Sequence, residues 1–200
     1  MERINISKEK NFIGSWNIND DNLCNNIVKF FENNKVLQKK GATINGVDEK
    51  VKNTIDIGID PINLDKDGFQ DLKMYFNHLY DCYQDYKKQW PFLNKTLSMV
   101  DIPRFNIQKY NIGGHFAELH TERENTSTMH RVFAWMTYLN NVDDGGETYF
   151  EYFDLKVKPE IGKTLIWPAE WTHAHKGEVL RSGVKYIVTG WMHFPFNFEK

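Results

Sequence analysis

The second half of the chain is a series of short segments of strand-forming residues, and this pattern constrains the fold most strongly. Gly, Pro, Asn and Asp residues separate the segments, and these residues favour turns. A chain that reverses direction this often builds antiparallel sheets, so the pattern predicts a sandwich or barrel. The segments after Arg104 are RFNIQKY, AELHTE, RVFAWMTYLN, ETYFEYF, KTLIWP, THAHK and VKYIVTGWMHF.

The first hundred residues show the periodicity of amphipathic helices. DDNLCNNIVKFFENN places its apolar residues on one helical face, behind Asp20 or Asp21 as the N-cap. GFQDLKMYFNHLYDCYQDYKKQW repeats apolar residues at spacings of three and four. Between them, residues 39–65 predict turns and a short strand near 54–59. We therefore expect an α+β fold in one domain, 1–200, in which a mainly helical support (1–100) packs against a β core (101–200).

Composition narrows the function classes. The formal charge of the 200 residues is -2 and no run of Lys and Arg occurs, so neither a nucleic acid nor an anionic membrane is expected as a partner. No apolar stretch has the length of a signal peptide core or a membrane span. Cys24 and Cys82 lie far apart and predict reduced thiols. The expectation is a cytoplasmic protein, and its oligomeric state is left open.

His120 and Glu122 stand two residues apart in the strand-like segment ELHTE. Side chains of a strand alternate, so the two are predicted to point to the same face. The pair alone carries little weight. With 7 histidines and 27 acidic residues in 200 positions, chance produces about one His-x-Asp/Glu pair. A metal site therefore needs further ligands.

WTHAHKGEVLRSGVKYIVTGW, residues 171–191, supplies the candidates. His173 and His175 are predicted to share a strand face. On the next strand Lys185 is followed by Ile187, Thr189 and Trp191 at alternate positions, which predicts a cation aimed into the barrel. A buried ammonium is costly unless an anion meets it, and no acidic residue shares that face. An anionic ligand is the favoured explanation.

Two imidazoles and one carboxylate on one side of Fe(II) leave three coordination positions open, the arrangement of non-haem oxygenases. A 2-oxo acid can fill two of them and dioxygen the third. The lysine would then hold the far carboxylate of that acid.

Four segments in this order resemble the Fe(II)/2-oxoglutarate-dependent dioxygenases, specifically the prolyl 4-hydroxylase-like branch. They lie within residues 104–195, about half of the chain, and each is weakly specific, whereas the ordered set is specific. The segments are YNIGGHFAELHTE, RVFAWMTYLNNVDDGGETYF, LKVKPEIGKTLIWP and THAHKGEVLRSGVKYIVTGW.

The resemblance implies a double-stranded β-helix, or jelly roll, with iron held at its mouth by His120, Glu122 and His175. It implies that Lys185 pairs with the distal carboxylate of 2-oxoglutarate, and that Tyr110 and Thr148 line the co-substrate pocket. Fe(II) and 2-oxoglutarate are the implied cofactors, with ascorbate as a further candidate. His173 becomes a neighbour that orients a ligand.

Two departures from the family pattern occur. The usual acid is Asp, and here it is Glu122, an accepted variant. One extra residue separates Tyr110 from His120 relative to the commonest spacing. The carboxylate also argues against the halogenases of this superfamily, which replace the acid by Gly or Ala.

The resemblance favours hydroxylation of a prolyl residue in a peptide or protein. Free amino acids and other small molecules stay open as substrates, because one scaffold serves many. A cupin-like metal-binding barrel without oxygenase activity is a second hypothesis, but it leaves Lys185 unexplained. A nucleic-acid demethylase is a third, and the net charge argues against it.

Several other side chains have simpler interpretations. The tryptophans at 135, 167, 171 and 191 predict core and rim packing. Arg131 is a candidate pocket cation for a substrate, with a surface salt bridge as the default interpretation. Gly145 and Gly146 predict a turn. Residues 39–65 and 123–130 are candidates for loops that cover the substrate.

Overall fold

Two antiparallel sheets form most of the structure. The computed structural model describes residues 1–8 and 10–195. In that part of the chain the strands are β1 (Glu2–Arg3), β2 (Gly14–Asn17), β3 (Lys39–Lys40), β4 (Lys52–Asn53), β5 (Ile55–Ile59), β6 (Phe105–Tyr110), β7 (His115–His120), β8 (Arg131–Tyr138), β9 (Thr148–Phe150), β10 (Leu155–Val157), β11 (Lys163–Pro168), β12 (His175–Gly177) and β13 (Lys185–His193).

The larger sheet has the order β1-β2-β11-β8-β13-β6-β5-β3, and the smaller has the order β10-β9-β12-β7-β4. All the strand pairs are antiparallel. Non-consecutive strands are neighbours in both sheets, and the connections after β6 repeatedly cross from one sheet to the other. This arrangement agrees with the predicted jelly roll.

Each face of the larger sheet packs against its own core, and β13 contributes residues to both. Lys185 and Ile187 face the smaller sheet, while Val188 and Met192 face the opposite side, as strand alternation requires. The inner core contains Tyr138, Phe150, Leu165 and Trp167, which come from both sheets.

Helices cover the outer face of the larger sheet. They are α1 (Asp21–Asn33), α2 (Gln70–Gln89) and α3 (Leu93–Thr96). The side chain of Asp20 accepts a hydrogen bond from the Leu23 amide and caps α1, as predicted. Apolar residues of α1 and α2 bury against sheet residues such as Phe105 and Trp135, which fixes the sheet from behind. Tyr80 is one of the residues of α2 in the predicted apolar repeat, but it is 61% exposed.

The prediction that residues 1–100 are mainly helical is not confirmed. The predicted helices are present, but five strands, β1 to β5, also lie in this half and extend both sheets. The strand predicted near 54–59 is β5. The missed strand β2 is four residues long and pairs with β1 and β11, so its structure depends on distant partners rather than on local periodicity. The division into a single domain stays a prediction.

Within the described residues, the helices are too short or too polar to cross a lipid bilayer. Cys24 and Cys82 are free and buried. Short 3-10 helices of three residues each lie between the other elements. They are Lys35–Leu37, Pro61–Asn63, Glu151–Phe153 and Trp171–His173.

Candidate metal centre

A cavity of about 360 Å³ lies between the two sheets. Its wall includes all six residues that the sequence singled out: Tyr110, His120, Glu122, Thr148, His175 and Lys185. Strands from both sheets contribute to it, so the jelly roll itself brings these distant sequence positions together.

His120, Glu122 and His175 converge at one point of the cavity wall. One ligand atom from each lies within 4.8 Å of the other two. Oε1 of Glu122 is 4.0 Å from Nε2 of His120 and 3.4 Å from Nε2 of His175. The two histidines are directly opposite each other in the β7–β12 pair. These residues form the group of potential metal ligands in the described part of the chain.

Backbone carbonyl groups orient both imidazole rings. Nδ1 of His120 lies 2.8 Å from the Glu118 carbonyl oxygen, and Nδ1 of His175 lies 2.9 Å from the His173 carbonyl oxygen. A carbonyl oxygen only accepts, so each Nδ1 carries a hydrogen and donates. This tautomer leaves the lone pair of Nε2 for the cavity, as a metal ligand requires.

Electrostatics keep the triad in a form that binds cations. Burial, and after it the nearby His175, lowers the pKa of His120 to about 4. Burial alone would raise the pKa of Glu122, but hydrogen bonding to His175 and the neighbouring imidazoles hold that pKa at about 2. Near neutral pH, His120 is thus uncharged and can donate a lone pair to a metal, and Glu122 is an anion.

Two details of the predicted geometry are corrected. His120 is the last residue of β7, and Glu122 lies beyond the end of the strand. His173 belongs to a 3-10 helix and does not share a strand face with His175. Its Nε2 is 2.8 Å from the Asn11 carbonyl oxygen, away from the cavity lining, so His175 is the histidine that meets His120 and Glu122.

Lys185 is a buried cation in the same cavity, with 2% of its surface exposed. Its Nζ donates to the Gly146 carbonyl oxygen at 2.9 Å and lies 3.9 Å from the centre of the Tyr110 ring. Burial lowers the pKa of Lys185 to about 7. Gly146 has a φ of 72°, as the predicted turn requires, and a Cβ there would lie 3.2 Å from Lys185 Cδ.

The other two predicted lining residues are fixed by buried hydrogen bonds. The Thr148 hydroxyl is 2.6 Å from the Tyr138 hydroxyl. The Tyr110 hydroxyl donates to Oε1 of Gln108 at 2.8 Å, and burial raises the pKa of Tyr110 well above its ordinary value. Both side chains therefore hold defined positions in the wall.

Sequence reasoning missed the role of two residues beside Glu122. Trp191, predicted as packing, donates from Nε1 to Oε2 of Glu122 at 2.5 Å. Arg131, whose default interpretation was a surface salt bridge, lies in the cavity wall and stacks over the Trp191 ring at 3.8 Å. Trp191 shares the predicted inward face of β13 with Lys185. The alternation of β13 was therefore the sequence signal that could have assigned Trp191 to the cavity.

Both loop regions predicted to cover a substrate reach the cavity. Residues 42–45 from the first and Glu124 and Thr128 from the second line its wall. Lys52 and Gln108 also line it, although the sequence did not single them out.

The donor set fits a divalent metal of the first transition row. Two neutral imidazole nitrogens and a carboxylate oxygen on one side of a site, with free space opposite, are the ligands that non-haem Fe(II) takes. The residues present thus satisfy the requirement that the sequence resemblance implied.

Comparison with known proteins agrees with this geometry. Residues 105–193 match the model of the 2OG-Fe(II) oxygenase superfamily. The chain is 25% identical over 114 residues to a protein described as probable prolyl 4-hydroxylase 9 of Arabidopsis thaliana. That match covers 44% of this chain and 40% of the plant protein, so less than half of either sequence is aligned.

Solved structures share the fold at low sequence identity. A prolyl hydroxylase of Trichoplax adhaerens, in complex with a hypoxia inducible factor peptide fragment, superposes with a TM-score of 0.73 at 16% identity, over 92% of this chain and 84% of that one. A prolyl-4-hydroxylase of Pseudomonas putida gives 0.70 at 14%, over 93% and 94%. The viral collagen prolyl hydroxylase of Paramecium Bursaria Chlorella virus-1 gives 0.62 at 17%, over 92% and 97%.

Proposed function

We propose that this chain is an Fe(II)- and 2-oxoglutarate-dependent hydroxylase. The match of residues 105–193 to the model of the 2OG-Fe(II) oxygenase superfamily and the similarity to a probable prolyl 4-hydroxylase support this proposal. The proposed substrate is a prolyl residue of a peptide or protein. One observation carries the proposal: a two-histidine, one-carboxylate group and a buried lysine line the same cavity.

His120, Glu122 and His175 would hold the iron. When bound, iron supplies the oxidation of a substrate C–H bond to an alcohol by dioxygen, coupled to conversion of 2-oxoglutarate to succinate and carbon dioxide. The protein supplies the ligand geometry. The carbonyl groups of Glu118 and His173 fix the imidazole rings, and Trp191 fixes the carboxylate.

Lys185 would bind the distal carboxylate of 2-oxoglutarate. Its ammonium group is removed from water and directly contacts a carbonyl oxygen and an aromatic ring. A carboxylate brought into this place would supply the missing countercharge. Tyr110 and Thr148 would line the same co-substrate pocket, since both border the cavity and Tyr110 lies opposite Lys185 in the β6–β13 pair.

Arg131 and Trp191 support a prolyl substrate. Both line the cavity beside Glu122, where the guanidinium group stacks over one face of the indole ring. A saturated five-membered ring can pack on such an aromatic surface, while the guanidinium group can bind a peptide carbonyl oxygen. The likeness to prolyl hydroxylases, one of them solved with a peptide, favours the same class.

The test is a turnover assay with Fe(II), 2-oxoglutarate and ascorbate. Proline-containing peptides, free L-proline and a peptide without proline are compared for succinate release and for the gain of one oxygen atom in the mass spectrum. The proposal expects both signals with a proline peptide in the wild type and neither in Glu122→Ala. Hydroxylation of free proline alone would move the substrate to a small molecule. Omission of ascorbate tests that candidate cofactor.

Wild-type activity in Glu122→Ala would overturn the assignment of the metal site. Trp171→Phe is a suitable control, because Trp171 is 66% exposed and does not line the cavity.

A further inference from the structure

A chain of hydrogen-bonded polar side chains, most of them buried, runs along the cavity wall. Lys52 Nζ donates to Oδ2 of Asp56 at 2.7 Å, and Nε2 of Gln108 donates to the same oxygen at 3.3 Å. The Thr54 hydroxyl donates to the other carboxylate oxygen, Oδ1, at 2.7 Å. On its far side, Oε1 of Gln108 accepts from the Tyr110 hydroxyl at 2.8 Å. Gln108 thus links Asp56 to Tyr110.

The chemistry of the groups sets the direction of these bonds. The Asp56 carboxylate only accepts, so the amide nitrogen of Gln108 must face it. The amide oxygen of Gln108 must then face Tyr110, and the phenolic hydroxyl of Tyr110 must donate. Asp56 thereby fixes which way the Gln108 amide points, and Gln108 ties down the hydroxyl end of the Tyr110 ring. Such a linked network holds its members more rigidly than separate bonds do.

The Tyr110 ring packs against the ammonium group of Lys185. The two residues are direct partners across β6 and β13, and Lys185 Nζ lies 3.9 Å from the ring centre. A cation over the face of an aromatic ring is stabilised by the ring's electrons, an interaction that strengthens when water is excluded. A tilt of the Tyr110 ring would therefore move the ammonium group or weaken its support.

The charged end of the network comes from the other sheet. Lys52 belongs to β4 in the smaller sheet, whereas Asp56 belongs to β5 in the larger one and faces Gln108 in register. Residues 52–56 precede residues 105–193, the part that matches the superfamily model. The segment that crosses between the sheets therefore lies outside the matched part, and it contributes Lys52 to the cavity wall.

We propose that Gln108, oriented by Asp56, is a positioning residue: it holds the Tyr110 ring so that Lys185 meets the distal carboxylate of 2-oxoglutarate. This inference rests on the proposed function. Positioning of this kind matters because displacements of about 1 Å at a binding group are enough to weaken it.

The test is calorimetric binding of 2-oxoglutarate to the Mn(II)-loaded full chain, in which no turnover occurs. The proteins are the wild type, Gln108→Met, Tyr110→Phe and the double variant. Loss of one hydrogen bond of the network should raise Kd for 2-oxoglutarate about fivefold in each single variant. If Gln108 acts through the Tyr110 hydroxyl, the double variant should bind as weakly as the single variants and no weaker. Mn(II) affinity should be unchanged throughout.

Gln38→Met is the matched control. It removes another glutamine amide, one that donates to the Phe31 carbonyl oxygen, and it leaves the cavity untouched. An unchanged Kd in Gln108→Met would overturn this inference but not the proposed function. Losses that multiply in the double variant would do the same, because Gln108 would then act on the co-substrate independently of Tyr110. Failure of the wild type to bind 2-oxoglutarate would overturn the proposed function and this inference with it.

Discussion

The indole nitrogen of Trp191 donates a hydrogen bond to Oε2 of Glu122 at 2.5 Å. The bond leaves Oε1 of Glu122 to face the two imidazoles, at 4.0 Å from His120 Nε2 and 3.4 Å from His175 Nε2. Arg131 stacks over the indole ring and donates to the Glu122 carbonyl oxygen at 3.0 Å. The carboxylate is thus held in place before any metal binds.

Replacing Trp191 by Phe tests this relationship. The ring remains for Arg131 to stack on, but the donor to Glu122 is lost. Loss of such a supporting bond typically lowers metal affinity about 10- to 100-fold, so Fe(II) binding measured anaerobically with a competing chelator should weaken by that factor. Trp171→Phe, an exposed tryptophan, should bind Fe(II) like the wild type. Equal affinity in both variants would contradict the role given to Trp191.

The two histidines of the 171–175 region should behave differently. His175→Ala removes a proposed ligand, and Fe(II) binding should fall below detection. His173→Ala should retain the metal and lose stability instead, because its ring bonds to the Asn11 carbonyl oxygen. Metal content after dialysis, together with the thermal midpoint, separates the two effects. Loss of metal in His173→Ala with retention in His175→Ala would show that the wrong histidine was chosen.

Lys185→Met should separate co-substrate binding from metal binding. Loss of a charge-assisted contact should raise Kd for 2-oxoglutarate at least about 30-fold while Fe(II) affinity stays the same. The free protein should become more stable, by on the order of 1 kcal/mol, because a buried ammonium is replaced by an apolar chain. Lys109→Met is the control, since Lys109 pairs with Glu32 on the helix side of β6. Unaltered binding in Lys185→Met would refute the anchoring role.

Binding of 2-oxoglutarate should weaken as the pH rises above about 7. Burial lowers the pKa of Lys185 to about 7, so the free protein carries this charge below that pH and loses it above. The anion binds the protonated form, and Kd should be flat below about pH 7 and rise up to about tenfold per unit above it. Calorimetry in buffers of different ionisation enthalpy should detect proton uptake above that pH. A Kd constant up to about pH 9 would contradict the proposal.

Local pattern was sufficient for the two long helices, α1 and α2, and for most strands of the second half, but it did not predict β10 or α3. The alternation of β13 correctly predicted that Lys185, Ile187, Thr189 and Trp191 share a face, and all four line the cavity. The other four strands of the first half were missed because they are two to four residues long and are held by distant partners, such as β11 beside β2. Alternation over so few residues cannot be told from chance.

The residues of the candidate site were predicted, but their surroundings were not. His120, Glu122 and His175 meet because β7 and β12 pair with these histidines opposite each other. The links from Trp191 to Glu122 and from Gln108 to Tyr110 depend on side-chain positions in the folded state. An indole or amide group in a strand has the same sequence signature whether it packs or donates a hydrogen bond.

One measurement addresses the central claim, that the triad and Lys185 act on one bound molecule. The apo-protein is titrated anaerobically with Fe(II) and then with 2-oxoglutarate, and the weak visible charge-transfer absorption of the chelate is followed. We expect saturable absorption in the wild type, a far higher 2-oxoglutarate requirement in Lys185→Met, and none in Glu122→Ala. Bound Fe(II) without this absorption, or identical titrations of the wild type and Lys185→Met, would contradict the account.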